Sequence, residues 1–243
     1  MAIELHPLEQ FKIEPWIPLH IGGIDASFTN SALFMIASVI VASCLIILGA
    51  GKRALVPSRW QSVAEISYEF IAGMIDENVG HEGREYFSFI FTLFIFILLG
   101  NLLGLIPYGF TFTSHIIVTF AMAGVVFIGV TIIGLARHGF HFLSLFVPHG
   151  VPPVLLLLLV PIEVLSYFIR PFTLSIRLFA NMMAGHTMLA IFAGFVVGMG
   201  IFGFIPLGVD VLLIFLELLV AALQAYVFTI LTCLYLRDAI HLH

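Results

Sequence analysis

Long apolar runs, broken by short clusters of charge, organise this chain. Residues 26–51 hold no Asp, Glu, Lys or Arg; Asp25 precedes them and Lys52-Arg53 follow. About 20 apolar residues cross a bilayer's hydrocarbon core, so Ser31 to Ala50 predicts a transmembrane helix within a first segment over 28–51. The pattern changes over 60–80, where Trp60, Val63, Ile66, Phe70, Met74 and Ile75 recur at helical spacing with Glu65, Glu69, Asp76 and Glu77 between them. That is an amphipathic helix suited to lying along the membrane surface. Phe87 to Ile106 reads as a second span ended by Pro107. A short link, Tyr108 to Ser114, leads into a third span from His115 to Ala136, and Arg137 and His138 close a helical hairpin over 86–136.

From Val151 to Phe204 the chain is almost continuously hydrophobic, with no charged turn before Gly194, Gly198, Gly200, Gly203 and Pro206. As one helix it is roughly 70 Å long, more than twice the core thickness. One long tilted helix over 151–204 is favoured over two crossings, with a second long helix over 209–236 returning antiparallel to a tail at 237–243. The expected fold is therefore an all-α integral membrane protein. It has one upright transmembrane helix, an amphipathic surface helix, a transmembrane hairpin and two long tilted antiparallel helices.

Composition supports bilayer as the solvent. Of 243 residues, 61% are hydrophobic and 9% charged, against about 45–50% and about 25% in soluble domains; mean hydropathy is +1.17. Too few polar side chains exist to cover a water-facing surface, which excludes a soluble enzyme. Nine basic residues spread along the chain make no nucleic-acid patch. Cys44 and Cys233 lie in apolar runs and read as packing residues, and His138, His141 and His149 as ordinary interfacial histidines, so no metal or other cofactor is expected. Residues 1–27 lack the basic start and small-residue cleavage site of a signal peptide and read as an irregular polar arm. Lys52, Arg53 and Arg59 put their end of the first helix in the cytoplasm, with the N-terminus outside and the C-terminus cytoplasmic.

Charges inside the apolar runs carry the chemistry. Each costs at least ~2.5–3.5 kcal/mol at the bilayer centre and marks a functional candidate by default. Glu163, Arg170 and Arg177 follow one another in steps of seven, and Asn181 continues their stripe a turn further. Asp210, Glu217 and Gln224 repeat that step on the last helix. Steps of seven keep residues on one helical stripe with a drift of ~20° per heptad. Thr173, Ala180, Asn181 and Ala184 share the face of Arg177, so small residues present the arginine to a partner. His186 falls on roughly the opposite face, toward the last helix.

Arginine stays protonated and cannot relay protons, whereas Glu217, Glu163 and His186 bind and release them. A fixed positive gate beside titrating relays suits a proton pathway. Two readings stay open for Arg170, which precedes Pro171: snorkelling to the interface, or pairing with Glu163. His115 and Asn101 read either as helix-end polar groups or as walls of the path.

The run Arg170-Pro171-Phe172-Thr173-Leu174-Ser175-Ile176-Arg177-Leu178-Phe179-Ala180-Asn181-Met182-Met183-Ala184-Gly185-His186 closely resembles the signature of subunit a of F-type ATP synthases. Leu223-Gln224-Ala225-Tyr226-Val227-Phe228 and Leu231-Thr232-Cys233-Leu234-Tyr235-Leu236 look like that family's last helix, and Asn101-Leu102-Leu103-Gly104-Leu105-Ile106-Pro107 like the end of its second span. The resemblance implies a membrane stator. Arg177 would face the carboxylates of a rotating c-ring between two aqueous half-channels. Glu217, His186, Gln224, Asn181, Glu163, Asn101, Thr173 and His115 would form the proton path. In that family the position of His186 is Glu in some members, with His at the position of Glu217; this chain carries the exchanged pair. The implied partners are the c-ring, the peripheral-stalk subunit b, the rest of the F1Fo complex, membrane lipid and protons. The implied location is a bacterial inner membrane or, alternatively, the mitochondrial one.

Other classes fit less well. No pair of matching halves suggests a secondary transporter, and no HExxH or clustered ligand spacing suggests an intramembrane hydrolase. Gly51-Lys52 lacks the first glycine and the Ser/Thr of a P-loop, so the chain is not expected to perform ATP chemistry alone.

Overall fold

A backbone in hydrocarbon must satisfy its own hydrogen bonds, and a helix does so within a single segment. The computed structural model describes residues 9–18, 20–21, 24–25, 27–49, 58–106, 109–147 and 153–241, and it is dominated by six helices. They are α1 (Asn30–Gly49), α2 (Arg59–Asn78), α3 (Phe87–Gly104), α4 (Ile116–His138), α5 (Pro153–Gly198) and α6 (Phe204–Ile240). Among the described residues, five stretches are long and apolar enough to cross a membrane: Asn30–Gly49, His81–Gly104, Ile116–Leu143, Leu155–Gly198 and Gly200–Ile240. Large apolar side chains such as Leu157, Phe168, Leu212 and Phe215 remain exposed on the protein surface. A bilayer removes that surface from water at ~25 cal/mol per Å². The chain is an all-α, multi-pass membrane protein. Lys52, Arg53, Pro107 and His149 lie outside the described residues.

The N-terminal arm is more ordered than its Pro and His content predicts. Strand β1 (Pro15–Ile17) pairs antiparallel with β4 (Phe28–Thr29), and inside that pair β2 (His20–Ile21) meets β3 (Ile24–Asp25). Asn30 anchors it: its side-chain amide donates to Lys12 O at 3.0 Å and its backbone N–H to Glu14 O at 3.2 Å. Polar alternation over so few residues is too weak a signal to separate these strands from coil.

Helix α2 starts on a Ser58-Arg59-Trp60-Gln61 capping pattern, and Ser58 Oγ accepts from Gln61 N–H at 3.3 Å. Its apolar stripe divides in two. Ile71, Met74 and Ile75 are buried in the protein, while Trp60, Val63, Ile66 and Phe70 stay exposed as an apolar surface fit for lipid. Beyond α2, Arg84 grips Asp76 at 2.6 Å and holds its carboxyl below the usual carboxylate range. Arg137 at the end of α4 joins Glu82 and Glu85 at the entry to α3, which ties the two ends of the hairpin.

Helix α5 runs without interruption for 46 residues despite Pro161 and Pro171 inside it. Membrane helices tolerate internal proline where side chains, neighbouring helices and local adjustment take up the freed groups. Helix α6 begins before Pro206, whose missing N–H falls in the first turn, where no intrahelical partner exists anyway.

Small residues set the packing distances. Ala221 and Ala225 of α6 are fully buried, and Gly100 of α3 leaves the space that the Phe112 ring fills. Hydroxyl pairs link the helices: Thr119 with Ser175 at 3.0 Å and Thr131 with Tyr167 at 2.7 Å. Such bonds contribute about 0.6 kcal/mol each in membranes. Arg170 corrects an expectation. Its Nη1 lies 3.0 Å from Asp238 Oδ2 of α6, not against Glu163, and its guanidinium sits 5.7 Å and 5.1 Å from the ring centres of Tyr167 and Tyr235. The antiparallel return of α6 brings an acid alongside, whereas Glu163 is two turns away on the same helix.

Candidate functional site

The inward stripe of α6 runs through Glu217, Ala221, Gln224, Ala225 and Phe228, all buried. Three- and four-residue spacing forces this: one face of the helix must meet α3 and α5, and the polar residues of that stripe are carried inside with it. Glu217 is 4% exposed and His186 of α5 8% exposed. Glu217 Oε1 lies 3.5 Å from His186 Nδ1. Neither carboxyl oxygen of Glu217 has a hydrogen-bond partner among the described residues. A buried polar group in that condition calls for a ligand, a water or a transported proton.

The opposite nitrogen of the same ring is held firmly. His186 Nε2 lies 2.6 Å from Thr111 Oγ1, which comes from the connector between α3 and α4. The N-terminal arm covers the histidine: Gln10 Nε2 donates to His186 O at 3.2 Å, and the Phe11 ring meets the imidazole edge-on at 6.3 Å. Asn101 is fully buried; it donates to Ala221 O at 3.2 Å and accepts from Thr113 Oγ1 at 2.8 Å. Polar groups from α3, its connector, α5 and α6 thus converge on one level of the bundle.

A cleft of about 210 Å³ opens from this cluster between α5 and α6. Asn181, Ala184, Gly185 and Glu217 line it. Arg177 stands on a different face. It is exposed and makes no hydrogen bond or ion pair among the described residues. Thr173, Ile176, Ala180 and Ala184 are exposed in the same stripe. Ala184 belongs to both, so the cleft reaches the edge of the stripe that displays the arginine.

Of the residues singled out from sequence, Glu217 and Asn181 line the cleft, His186 stands beside Glu217, and Asn101 and Gln224 are buried on α3 and α6. Others stand apart. Thr173 bonds its own helix, and His115 is half-buried with its ring stacked on Phe110 at 5.2 Å. Glu163 is half-buried on α5, about 35 Å along the helix from His186 at 1.5 Å per residue. Sequence reasoning passed over Thr111 and Gly185. The density of hydroxyls in Thr111-Phe112-Thr113-Ser114, all of them buried, is the signal that was available.

Gly185 has a definite steric role. A Cβ there would come within 2.7 Å of Glu217 Oε1, closer than real Cβ atoms approach. Gly185→Ala is therefore expected to destabilise the protein by about 1–3 kcal/mol, the usual range for overpacking. Adding Glu217→Asp, which withdraws the carboxyl by one methylene, recovers part of that loss. Thermal unfolding in detergent of the two single variants and the double reads the coupling; strictly additive effects would remove the contact from the argument.

Comparison with known proteins places this geometry in context. The family described as ATP synthase A chain matches residues 32–237. The chain is 57% identical over 245 residues to the ATP synthase subunit a of Paramagnetospirillum magneticum, covering 98% of this chain and 99% of that one. It is 55% identical over 238 residues to the ATP synthase subunit a of Rhodospirillum rubrum, with 98% and 99% covered. It is 53% identical over 240 residues to that of Pelagibacter ubique, with 98% of each chain covered.

Proposed function

Because the chain belongs to the ATP synthase A chain family, we propose that it is the stator of a rotary proton motor in which Arg177 separates two half-channels leading to the carboxylates of a c-ring. Within the ATP synthase it is a proton-translocating membrane subunit, multi-pass and without catalytic action of its own, in a bacterial inner membrane. The c-ring lies against the Arg177 stripe, and the peripheral-stalk subunit b holds the stator in place. The N-terminus faces outside and the C-terminus the cytoplasm.

The observation that carries this reading is the junction at Ala184, where the cleft lined by the buried Glu217 meets the exposed arginine stripe. A proton from one side reaches Glu217 and His186, which bind and release it in turn. Asn181, Gln224 and Asn101 extend the polar lining. The proton then neutralises a ring carboxylate, which becomes free to rotate into lipid. A deprotonated carboxylate arriving from the other direction is held by Arg177. The guanidinium keeps its charge at any working pH and blocks a direct leak between the two paths. Low dielectric strengthens that attraction. Glu163 lies beyond Arg177 from His186 along α5 and serves the second half of the path, with Thr173 beside the arginine and His115 at a helix end near the first. Each proton crossing about 100 mV supplies ~2.3 kcal/mol, so several are needed for each ATP.

Passive proton flux tests the path directly. In inverted vesicles stripped of the catalytic head, His186→Ala is expected to lower the flux about a hundredfold, the lower end of a general acid–base contribution. The complex content of the membranes should stay normal. Wild-type flux in that variant would remove the pair from the route.

A further inference from the structure

Thr111 has no place in the proton path derived above, yet it makes the shortest polar contact to one of its members, 2.6 Å from Oγ1 to His186 Nε2. It is 4% exposed, so water does not compete freely for that contact. Its location is built rather than incidental. Gly104 of α3 has no side chain where the Thr111 side chain packs, since a Cβ there would collide with Thr111 Oγ1. The connector is fastened on the other side, where Ser114 Oγ donates to Thr111 O at 2.6 Å and Ser114 N–H to the same oxygen at 3.1 Å.

The chemistry of a hydroxyl explains what such a contact can do. An imidazole that carries protons alternates between a form with both nitrogens protonated and one with a single N–H. When Nε2 carries a proton, the ring donates and the Thr111 oxygen accepts. When Nε2 is bare, the hydroxyl turns and donates to it. A hydroxyl therefore serves both states without moving the ring, whereas a carboxylate or a backbone N–H serves only one. The other ring nitrogen is thereby kept at 3.5 Å from Glu217 Oε1. Among the described residues, the titratable groups on that side are Glu217 and, a heptad earlier on α6, Asp210, which acts on Glu217 electrostatically. Among the described residues of the N-terminal arm, the contacts to His186 come from Gln10 and Phe11, both uncharged.

We infer that Thr111 is a positioning residue of the proton path, its hydroxyl reversing between donor and acceptor so that His186 exchanges protons with Glu217 without rotating. This rests on the reading of His186 and Glu217 as path members. It is tested in the assembled complex in inverted vesicles, with ATP-driven acidification measured across pH for Thr111→Val, Thr111→Ala, Thr111→Ser and His186→Ala. Thr111→Val and Thr111→Ala are expected to lose pumping on the order of tenfold, the weight of one hydrogen bond to an ionised group. Their pH profiles should be displaced, and Thr111→Ser should restore both rate and profile. Wild-type rate and profile in the two hydroxyl-free variants overturn the proposal. So does a Thr111→Ser variant as impaired as Thr111→Val. If only the serine variant assembles, the hydroxyl is structural and the proposal is likewise overturned. Normal pumping in His186→Ala sinks the path reading and the role of Thr111 with it. Impaired His186→Ala beside normal Thr111→Val removes Thr111 alone.

Discussion

Arg177→Ala is expected to abolish ATP-driven acidification of inverted vesicles while passive proton conduction, measured after the catalytic head is stripped off, is retained or raised. The two halves of this result have one cause. Arg177 is exposed and makes no hydrogen bond or ion pair within the described chain, so its removal leaves no buried partner without a counter-ion. The bundle should therefore assemble, and membrane-bound complex should be recovered in normal amount. What disappears is a fixed positive charge between two proton routes. Without it a ring carboxylate need not give up its proton at the stator, and protons can pass from one route to the other without rotation. Arg177→Lys is an informative companion. Lysine keeps a charge but is a compact, strongly hydrated ammonium that loses its proton more readily when desolvated; partial coupling is the expected outcome. Normal pumping in Arg177→Ala would refute the stator role of this residue. Loss of pumping together with loss of passive conduction would point to blocked access instead of a missing barrier.

Glu217→Gln should give the opposite signature, with passive conduction and driven pumping falling together. Glutamine preserves the shape of the side chain and the packing of Gly185 against it, so the cleft keeps its form. It cannot bind and release a proton in this range. Positioned proton-transfer groups contribute about 10²-fold or more to the steps they serve, and a loss of about a hundredfold is expected here. The amide carries no charge and replaces carboxyl oxygens that have no hydrogen-bond partners to lose among the described residues, so stability should not fall. Passive flux in stripped vesicles and thermal unfolding in detergent, read on the same preparation, separate these effects. Unchanged passive conduction would exclude Glu217 from the route. Taken with the arginine variant, the pair of measurements distinguishes a gate, which sets direction, from a relay, which sets throughput.

The fold class and the identity of the candidate residues were legible in the chain because each rests on a local or one-dimensional rule. Apolar runs of membrane length, the amphipathic spacing of Trp60, Val63 and Ile66, and the heptad steps through Arg177 and Glu217 follow from 3.6 residues per turn and the thickness of hydrocarbon. The opposed faces of Arg177 and His186 follow from the same geometry, and in the structure one is exposed and the other buried. Partner choice was not legible, because it depends on how helices distant in sequence are aligned against one another. Arg170 meets Asp238 and not Glu163 only because α6 returns alongside α5 at that height. His186 meets Thr111 only because Gly104 lets the connector approach α3 closely enough to reach α5. The strands of the N-terminal arm, and the contacts of Gln10 and Phe11 with His186, likewise depend on chain reversal that no local pattern announced. Helical period and hydrophobic length decide which residues are carried into the bilayer. Interhelical packing, set by small residues and by the register of long antiparallel helices, decides which of them touch.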